Sequence, residues 1–252
     1  TVTGVDDSID DGNQDTTVTI AVDDDNSDNA FDGLADQTVT ATTTDDDTAA
    51  FTLSTTTASV TEAGSTDTFT VVLDTQPTSD VVVTVTSADT GEATVSAATL
   101  TFTTANWNAT QQVTVTGVDD SVDDGNQDTT VTIAVDDDNS DNAFDGLADQ
   151  TVTATTTDND TAGFTLSTTT ASVTEAGSTA TFTVELDTQP TSDVVFTVAS
   201  ADTGEATVSP TSLTFTTANW NTPQTVTVTG VDDSIDDGDQ DTTVTIAVDD
   251  DN

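Results

Sequence analysis

Residues Thr68-Phe69-Thr70-Val71-Val72-Leu73 and Val113-Thr114-Val115-Thr116 set apolar, mostly β-branched side chains in alternation with threonine. A period of two with β-branched residues is the pattern of a strand with one face in a core and one in water. A second copy of the first stretch, Thr181 to Leu186, carries Glu185 where the first has Val72, so that position faces solvent. The pleat then turns Phe69, Val71 and Leu73 inward.

Around these strands the chain repeats itself. Thr3-Gly4-Val5-Asp6-Asp7-Ser8 returns at Thr116–Ser121 and at Thr229–Ser234, a period of 113 residues with about nine in ten aligned positions identical. That period is too long for a solenoid coil and suits one autonomous β-domain per repeat. In the complete copy, strands are expected near 51–61 (A, broken), 67–74 (B), 80–86 (C), 92–103 (D, kinked), 111–118 (E), 128–135 (F) and 150–157 (G). Turn residues such as Gln76-Pro77-Thr78-Ser79, Asp123-Asp124-Gly125-Asn126 and Asp145-Gly146 separate them. Seven short strands in about 110 residues predict an all-β, immunoglobulin-like sandwich, with a small barrel or jelly roll as the alternative. The 252 residues divide into the C-terminal part of one repeat (1–47), a complete repeat (48–160) and a repeat lacking its last strand (161–252). The chain opens within a strand pattern and is expected to be a piece of a longer one. Few residues separate strand G from the next strand A, which favours domains stacked end to end through a stiff joint.

Composition narrows the chemistry. There are 48 Asp and Glu and no Lys, Arg or His, for a formal charge of −48. Nucleic-acid binding and attraction to anionic headgroups both need basic residues. The absence of Cys, His and Lys removes disulfides, thiolate zinc sites, histidine bases and Schiff-base lysines. No apolar run reaches the length of a membrane-spanning helix. The reading is therefore no enzyme, no nucleic acid and no direct membrane insertion. Paired carboxylates working as a glycosidase acid and base would be the catalytic alternative, but the acids recur at every repeat instead of gathering in one cleft. Thr-x-Thr runs and the recurring Trp107 and Trp220 raise a carbohydrate- or ice-binding surface as a further class, although tryptophans at the D–E turn are better explained as caps on the core.

Alternating strands assign each loop to one end of a sandwich. One end collects Glu62 (A–B), Glu92 (C–D), Asp119, Asp120, Asp123 and Asp124 (E–F), and Asp158 and Asp160 after strand G. The equivalent acids are Asp6, Asp7, Asp10, Asp45 and Asp47 in the first copy and Glu175, Glu205, Asp232, Asp233, Asp236 and Asp237 in the third. The opposite end carries the F–G loop acids Asp136, Asp137, Asp138, Asp141 and Asp145, expected to face the acidic rim of the preceding domain. Two carboxylates ~6 Å apart repel by about 3 kcal/mol at an effective dielectric of ~20. Many oxygen ligands with no base nearby suit Ca²⁺, which takes six to eight oxygens in irregular geometry; a solvated, salt-adapted acidic surface is the alternative. An EF-hand is excluded, because Asn142 and Ala148 stand where Asp137-x-Asn139-x-Asp141 would need Gly and Glu.

Val173-Thr174-Glu175-Ala176-Gly177, Thr181 to Pro190 (TFTVELDTQP), Ala206 to Pro210 (ATVSP), Leu213 to Asp233 (LTFTTANWNTPQTVTVTGVDD) and Thr151 to Asp160 (TVTATTTDND) together resemble the Calx-beta domain, and more narrowly the tandem Calx-beta-like repeats of large bacterial surface proteins and adhesins. The resemblance spans the whole chain. It implies a seven-stranded sandwich that places Ca²⁺ at the rim of the A–B, C–D and E–F loops and the exit of strand G. Glu62, Glu92, Asp119, Asp120, Asp123, Asp124, Asp158 and Asp160 match acidic positions of that rim. In the second joint Asn159 departs from the acidic triad Asp45–Asp47. The expected role is a calcium-stiffened segment of an extracellular adhesin stalk or surface fibre, secreted by a bacterium, whose partners are neighbouring repeats of the same chain and other copies in a fibre.

Overall fold

The computed structural model describes residues 1–236 and 238–250, so Asp237 and the end of the segment 161–252 lie outside the described residues. The chain is all-β and divides into two compact units, residues 1–118 with 128–156, and residues 119–127 with 157–252. No helix of the described residues is long and apolar enough to cross a membrane.

In the first unit, β1 (Gln14–Ile20) and β2 (Gln37–Thr43) form a two-stranded hairpin. A sandwich follows, built from β3 (Phe51–Leu53), β4 (Thr57–Thr61), β5 (Thr66–Leu73), β6 (Val81–Ser87), β7 (Ala93–Val95), β8 (Thr99–Phe102), β9 (Gln111–Gly117), β10 (Gln127–Val135) and β11 (Gln150–Thr157). Its sheets run β4-β11-β10-β6-β8 and β3-β5-β9-β7. The expected breaks in A and D are sheet changes: β3 and β4 lie in opposite sheets, as do β7 and β8. Each of those two stretches seals an edge of both layers, so seven strands in sequence become nine in space.

Side chains fall where the pleat puts them. Phe69, Val71 and Leu73 are buried and Val72 is half-exposed. They join Val81, Val83, Val113, Val115, Val131, Ile133, Val152 and other apolar residues in one core, against which Trp107 packs. Burying each such side chain is worth roughly 1.5–3 kcal/mol. Residues 1–5, the copy of residues 114–118, form no strand.

The second unit holds β12 (Phe164–Leu166), β13 (Thr179–Leu186), β14 (Val194–Ser200), β15 (Ala206–Ser209), β16 (Ser212–Phe215), β17 (Gln224–Gly230) and β18 (Val244–Val248). Its sheets run β12-β13-β17-β15 and β16-β14-β18. The core contains Phe182, Val184, Phe196, Leu213, Phe215 and Val226, with Trp220 against it. Phe196 takes the place of Val83 and packs edge-on to Phe164 and Phe215, ring centroids 4.8 Å and 5.9 Å away.

Candidate metal centre

In the second unit the loop 119–127 is bound to the segment 158–162 by a set of carboxylate and amide contacts. The Val122 N–H donates to Asp120 Oδ1 at 2.7 Å, shaping the loop as an Asx turn. Gly125, at φ +74°, turns its N–H onto Asp158 Oδ2 at 2.7 Å, and Asn126 Oδ1 accepts the Asp158 N–H at 3.2 Å. Asp158 Oδ1 accepts the Asp160 N–H at 2.7 Å. Asp123 Oδ2 accepts the Ala162 N–H at 2.7 Å, which ties the loop to the start of the following repeat. The Gln189 N–H, donating to the Ser121 carbonyl at 2.6 Å, adds a second tie.

These bonds leave Asp160 in the middle of four other carboxylates. Its Oδ2 is buried without a hydrogen-bond partner. Burial first, then the charges of Asp158, Asp119, Asp120 and Asp123, push its carboxyl above the usual aspartate range. Asn159, the departure in the acidic triad, donates its side-chain amide to Asp119 Oδ1 at 3.3 Å, so it relieves one carboxylate instead of adding another.

The first unit repeats the arrangement 113 residues earlier. The Gly12 N–H donates to Asp45 Oδ2 at 2.6 Å, Asn13 Oδ1 accepts from Asp45 N–H at 3.0 Å, Asp45 Oδ1 accepts from Asp47 N–H at 2.9 Å, and Asp10 Oδ2 accepts from Ala49 N–H at 2.8 Å. The Gln76 N–H donates to the Ser8 carbonyl at 2.7 Å. Asp47 is raised by burial and by Asp45, Asp46, Asp6 and Asp7, while the Asp47 N–H, followed by those of Gly12 and Asp11, outweighs burial and lowers Asp45. Asp7 Oδ1 is spent on the Ile9 N–H at 3.0 Å.

The structure thus gathers Asp119, Asp120, Asp123, Asp158 and Asp160 in one unit and Asp6, Asp7, Asp10, Asp45 and Asp47 in the other. Asp124 is exposed on the same loop as Asp123. Glu62, at the end of β4, is only 2 % exposed, and the Glu92 carbonyl accepts from the Val118 N–H and the Thr156 hydroxyl. In the third copy Glu175, Asp232, Asp233 and Asp236 are exposed and Glu205 is half-buried, while Asp237 lies outside the described residues. All-oxygen, multiply charged and partly desolvated clusters of this kind can hold a hard divalent cation and offer nothing to a soft one.

The F–G loop divides. Asp136, Asp137, Asp138 and Asp145 are not buried and serve local turns, as when Asp136 Oδ2 accepts from Asn139 and Asp137 Oδ1 from the Gly146 N–H. Asp141 is 6 % exposed and accepts from the Thr78 N–H (2.5 Å), the Thr78 hydroxyl (2.7 Å), the Ser79 N–H (2.8 Å) and the Ala143 N–H (3.0 Å). Burial opposes its ionisation, and these donors together outweigh it, leaving the carboxyl below its ordinary value. Sequence reasoning treated it as one acid among five. The signal for its role was its place before Asn142-Ala143, where an aspartate caps a short helical turn.

No family model matches the sequence, and no curated protein matches it. Among solved structures, the chain is similar to CBD12 from CALX1.2 (13% identity, 78% of this chain and 79% of that one, TM-score 0.31). It is similar also to the calcium binding domain CBD12 of CALX1.1 (15% identity, 70% and 72%, TM-score 0.34). Domains 4 and 5 of the S-layer protein SbsC match at 22% identity over 49% of this chain and 63% of that one, TM-score 0.31. At these values the likeness concerns the β-sandwich fold and carries nothing about what this chain binds.

Proposed function

We propose that the chain is a structural spacer, a run of β-sandwich repeats whose acidic joints bind Ca²⁺ and are stiffened by it, in a stalk or fibre on a bacterial surface. The observation that carries the calcium reading is the buried, unpartnered Oδ2 of Asp160 set among Asp158, Asp119, Asp120 and Asp123. Such an oxygen is costly beside four like charges and becomes favourable once a divalent cation supplies the missing partner. The tie from Asp123 to Ala162, repeated from Asp10 to Ala49, puts the same loop in contact with the beginning of the next repeat, so a cation held there would brace the connection. The spacer reading draws support from the repetition itself: the same contacts recur at a fixed interval, as a modular array requires.

A salt-adapted surface without specific sites has one observation in its favour, the exposed F–G acids that serve only local turns. Calorimetric titration separates the two. Specific joints give saturable Ca²⁺ binding, in roughly the 0.1–1 mM range of weak modules, that persists in excess NaCl, and a thermal melt that falls on adding chelator. Heat and melting temperature that respond to ionic strength alone refute the calcium reading.

A further inference from the structure

Between β8 and β9 of the first unit the chain reads Asn108-Ala109-Thr110. An asparagine followed two positions later by a hydroxyl residue, with no proline between them, is the acceptor motif for an N-linked sugar. In a chain this rich in threonine the motif arises easily, so its surroundings decide whether it can act. The turn is fixed through its other residues. Asn106 Oδ1 accepts from the N–H and the hydroxyl of Thr103, the Ala109 N–H donates to the Asn106 carbonyl at 2.9 Å, and the Leu73 N–H donates to the Trp107 carbonyl at 3.2 Å, while Trp107 packs on the core. Asn108, Ala109 and Thr110 are exposed, and among the described residues the Asn108 carboxamide and the Thr110 hydroxyl have no hydrogen-bond partner.

Two other places each lack one of these conditions. Asn159-Asp160-Thr161 has the same spacing, but the Asn159 amide is committed to Asp119 Oδ1 at 3.3 Å, and the middle residue Asp160 is half-buried with its N–H on Asp158 Oδ1 at 2.7 Å. Asn221 is the copy of Asn108, and its turn closes in the same way. Asn219 Oδ1 accepts from Thr216, the Thr222 N–H donates to the Asn219 carbonyl at 3.0 Å, and the Leu186 N–H donates to the Trp220 carbonyl at 3.2 Å. Asn221 is exposed as well, but Pro223 stands where the first unit has Thr110, so the hydroxyl is missing. Motif, exposure and a free carboxamide coincide only at Asn108 among the described residues.

We infer that Asn108 is a modification site, the acceptor of one N-linked sugar delivered as an activated sugar phosphate by a transferase acting in trans. Asn108 Nδ2 forms a bond to the anomeric carbon, and the bond from that carbon to the phosphate oxygen breaks. The phosphate carrier leaves with the electron pair, and one amide proton passes to a base of the transferase. The acceptor turn leads out of β8, which is the edge strand of its sheet and is bonded to β6 alone. On that edge the Thr101 carbonyl is already covered by Gln111 Nε2 at 2.8 Å. A bulky neutral sugar in the turn that follows hinders pairing of the same edge with another chain. The inference does not depend on calcium binding at the joints.

The donor can be nucleotide-linked or lipid-linked, and the test uses both. In one arm the folded whole chain is incubated with a purified N-glycosyltransferase and a nucleotide-activated hexose; in the other the whole chain is secreted through a eukaryotic host whose donor is lipid-linked. Intact-mass and peptide mass spectrometry read the result. The expected outcome, in at least one arm, is one glycan per chain mapped to Asn108, lost in Asn108→Gln and in Thr110→Ala and retained in Asn159→Gln. Pro223→Thr, which completes the motif at Asn221, should add a second. Asn108→Gln changes an exposed, unbonded side chain and should leave the thermal melt unchanged, so that loss of the sugar is not loss of the fold. A chain unmodified in both arms overturns the proposal, and so does sugar that persists in Asn108→Gln or Thr110→Ala. A free peptide of residues 103–113 that takes the sugar when the folded chain does not overturns it as well, because the fold would then withhold the site.

Discussion

Replacing Asp141 with alanine should selectively destabilise the first unit. The carboxylate holds the F–G loop to the turn after β5 through four donors: the Thr78 N–H and hydroxyl, the Ser79 N–H and the Ala143 N–H. Bonds to a charged acceptor contribute about 1.5–3 kcal/mol each and are not additive, and breaking a buried network costs roughly 3–5 kcal/mol. Some donors will find water when the side chain is cut back, so about 3 kcal/mol is expected. For a sandwich of this size that lowers the melting temperature by roughly 10–20 °C. Asp141→Asn keeps an acceptor and loses the charge, and should fall about halfway between. The pH dependence gives an independent check. Because the folded carboxyl is held below its ordinary value, its contribution is present above the unfolded value of about 3.9 and is lost as pH falls through the folded one. The gap between wild type and Asp141→Ala should therefore be constant from neutral pH to about 5 and close below about 4. Differential scanning calorimetry in chelator reads both units in one experiment. A loss under about 1 kcal/mol, or a gap unchanged at low pH, would refute the argument that this acid is a structural tie.

Other perturbations have equally definite outcomes. Gly117→Ala and Gly230→Ala should each destabilise their own unit by about 1–3 kcal/mol, measured by urea titration, because a Cβ at either site runs into the carbonyl oxygen of Thr61 or Thr174. Asp160→Asn should raise the melting temperature of the second unit in chelator at neutral pH and abolish part of its calcium response. A carboxyl raised in the fold contributes stability that is complete below its unfolded value and lost as pH rises through the folded one, and the amide removes that loss. Asn106→Ala should cost about 1–2 kcal/mol by the same titration, since Asn106 Oδ1 accepts from both the N–H and the hydroxyl of Thr103 to close the turn before β9. The identical bonds of Asn219 to Thr216 predict the same loss in the second unit.

What the amino-acid order determined by itself is whatever depends on near neighbours. The alternation in 68–73 fixes the buried set Phe69, Val71 and Leu73, because successive side chains of a strand point to opposite faces whatever surrounds it. The breaks in strands A and D were legible from sequence, and strand order alone brings the 119–127 loop to the end of strand G, where the Gly125 N–H meets Asp158. Pairs of identical segments show what local sequence could not decide. β2 and β11 share one sequence, yet Val39 is half-exposed and Val152 fully buried. Residues 57–61 form β4, while their copy at 170–174 forms no strand; Glu62 is buried and its copy Glu175 exposed. Asp141 takes four hydrogen bonds, while its copy Asp28 caps only the Ala30 N–H at 2.9 Å. Burial and hydrogen-bond satisfaction are properties of partners distant in the chain, and only the tertiary structure decides which copy of a segment finds them.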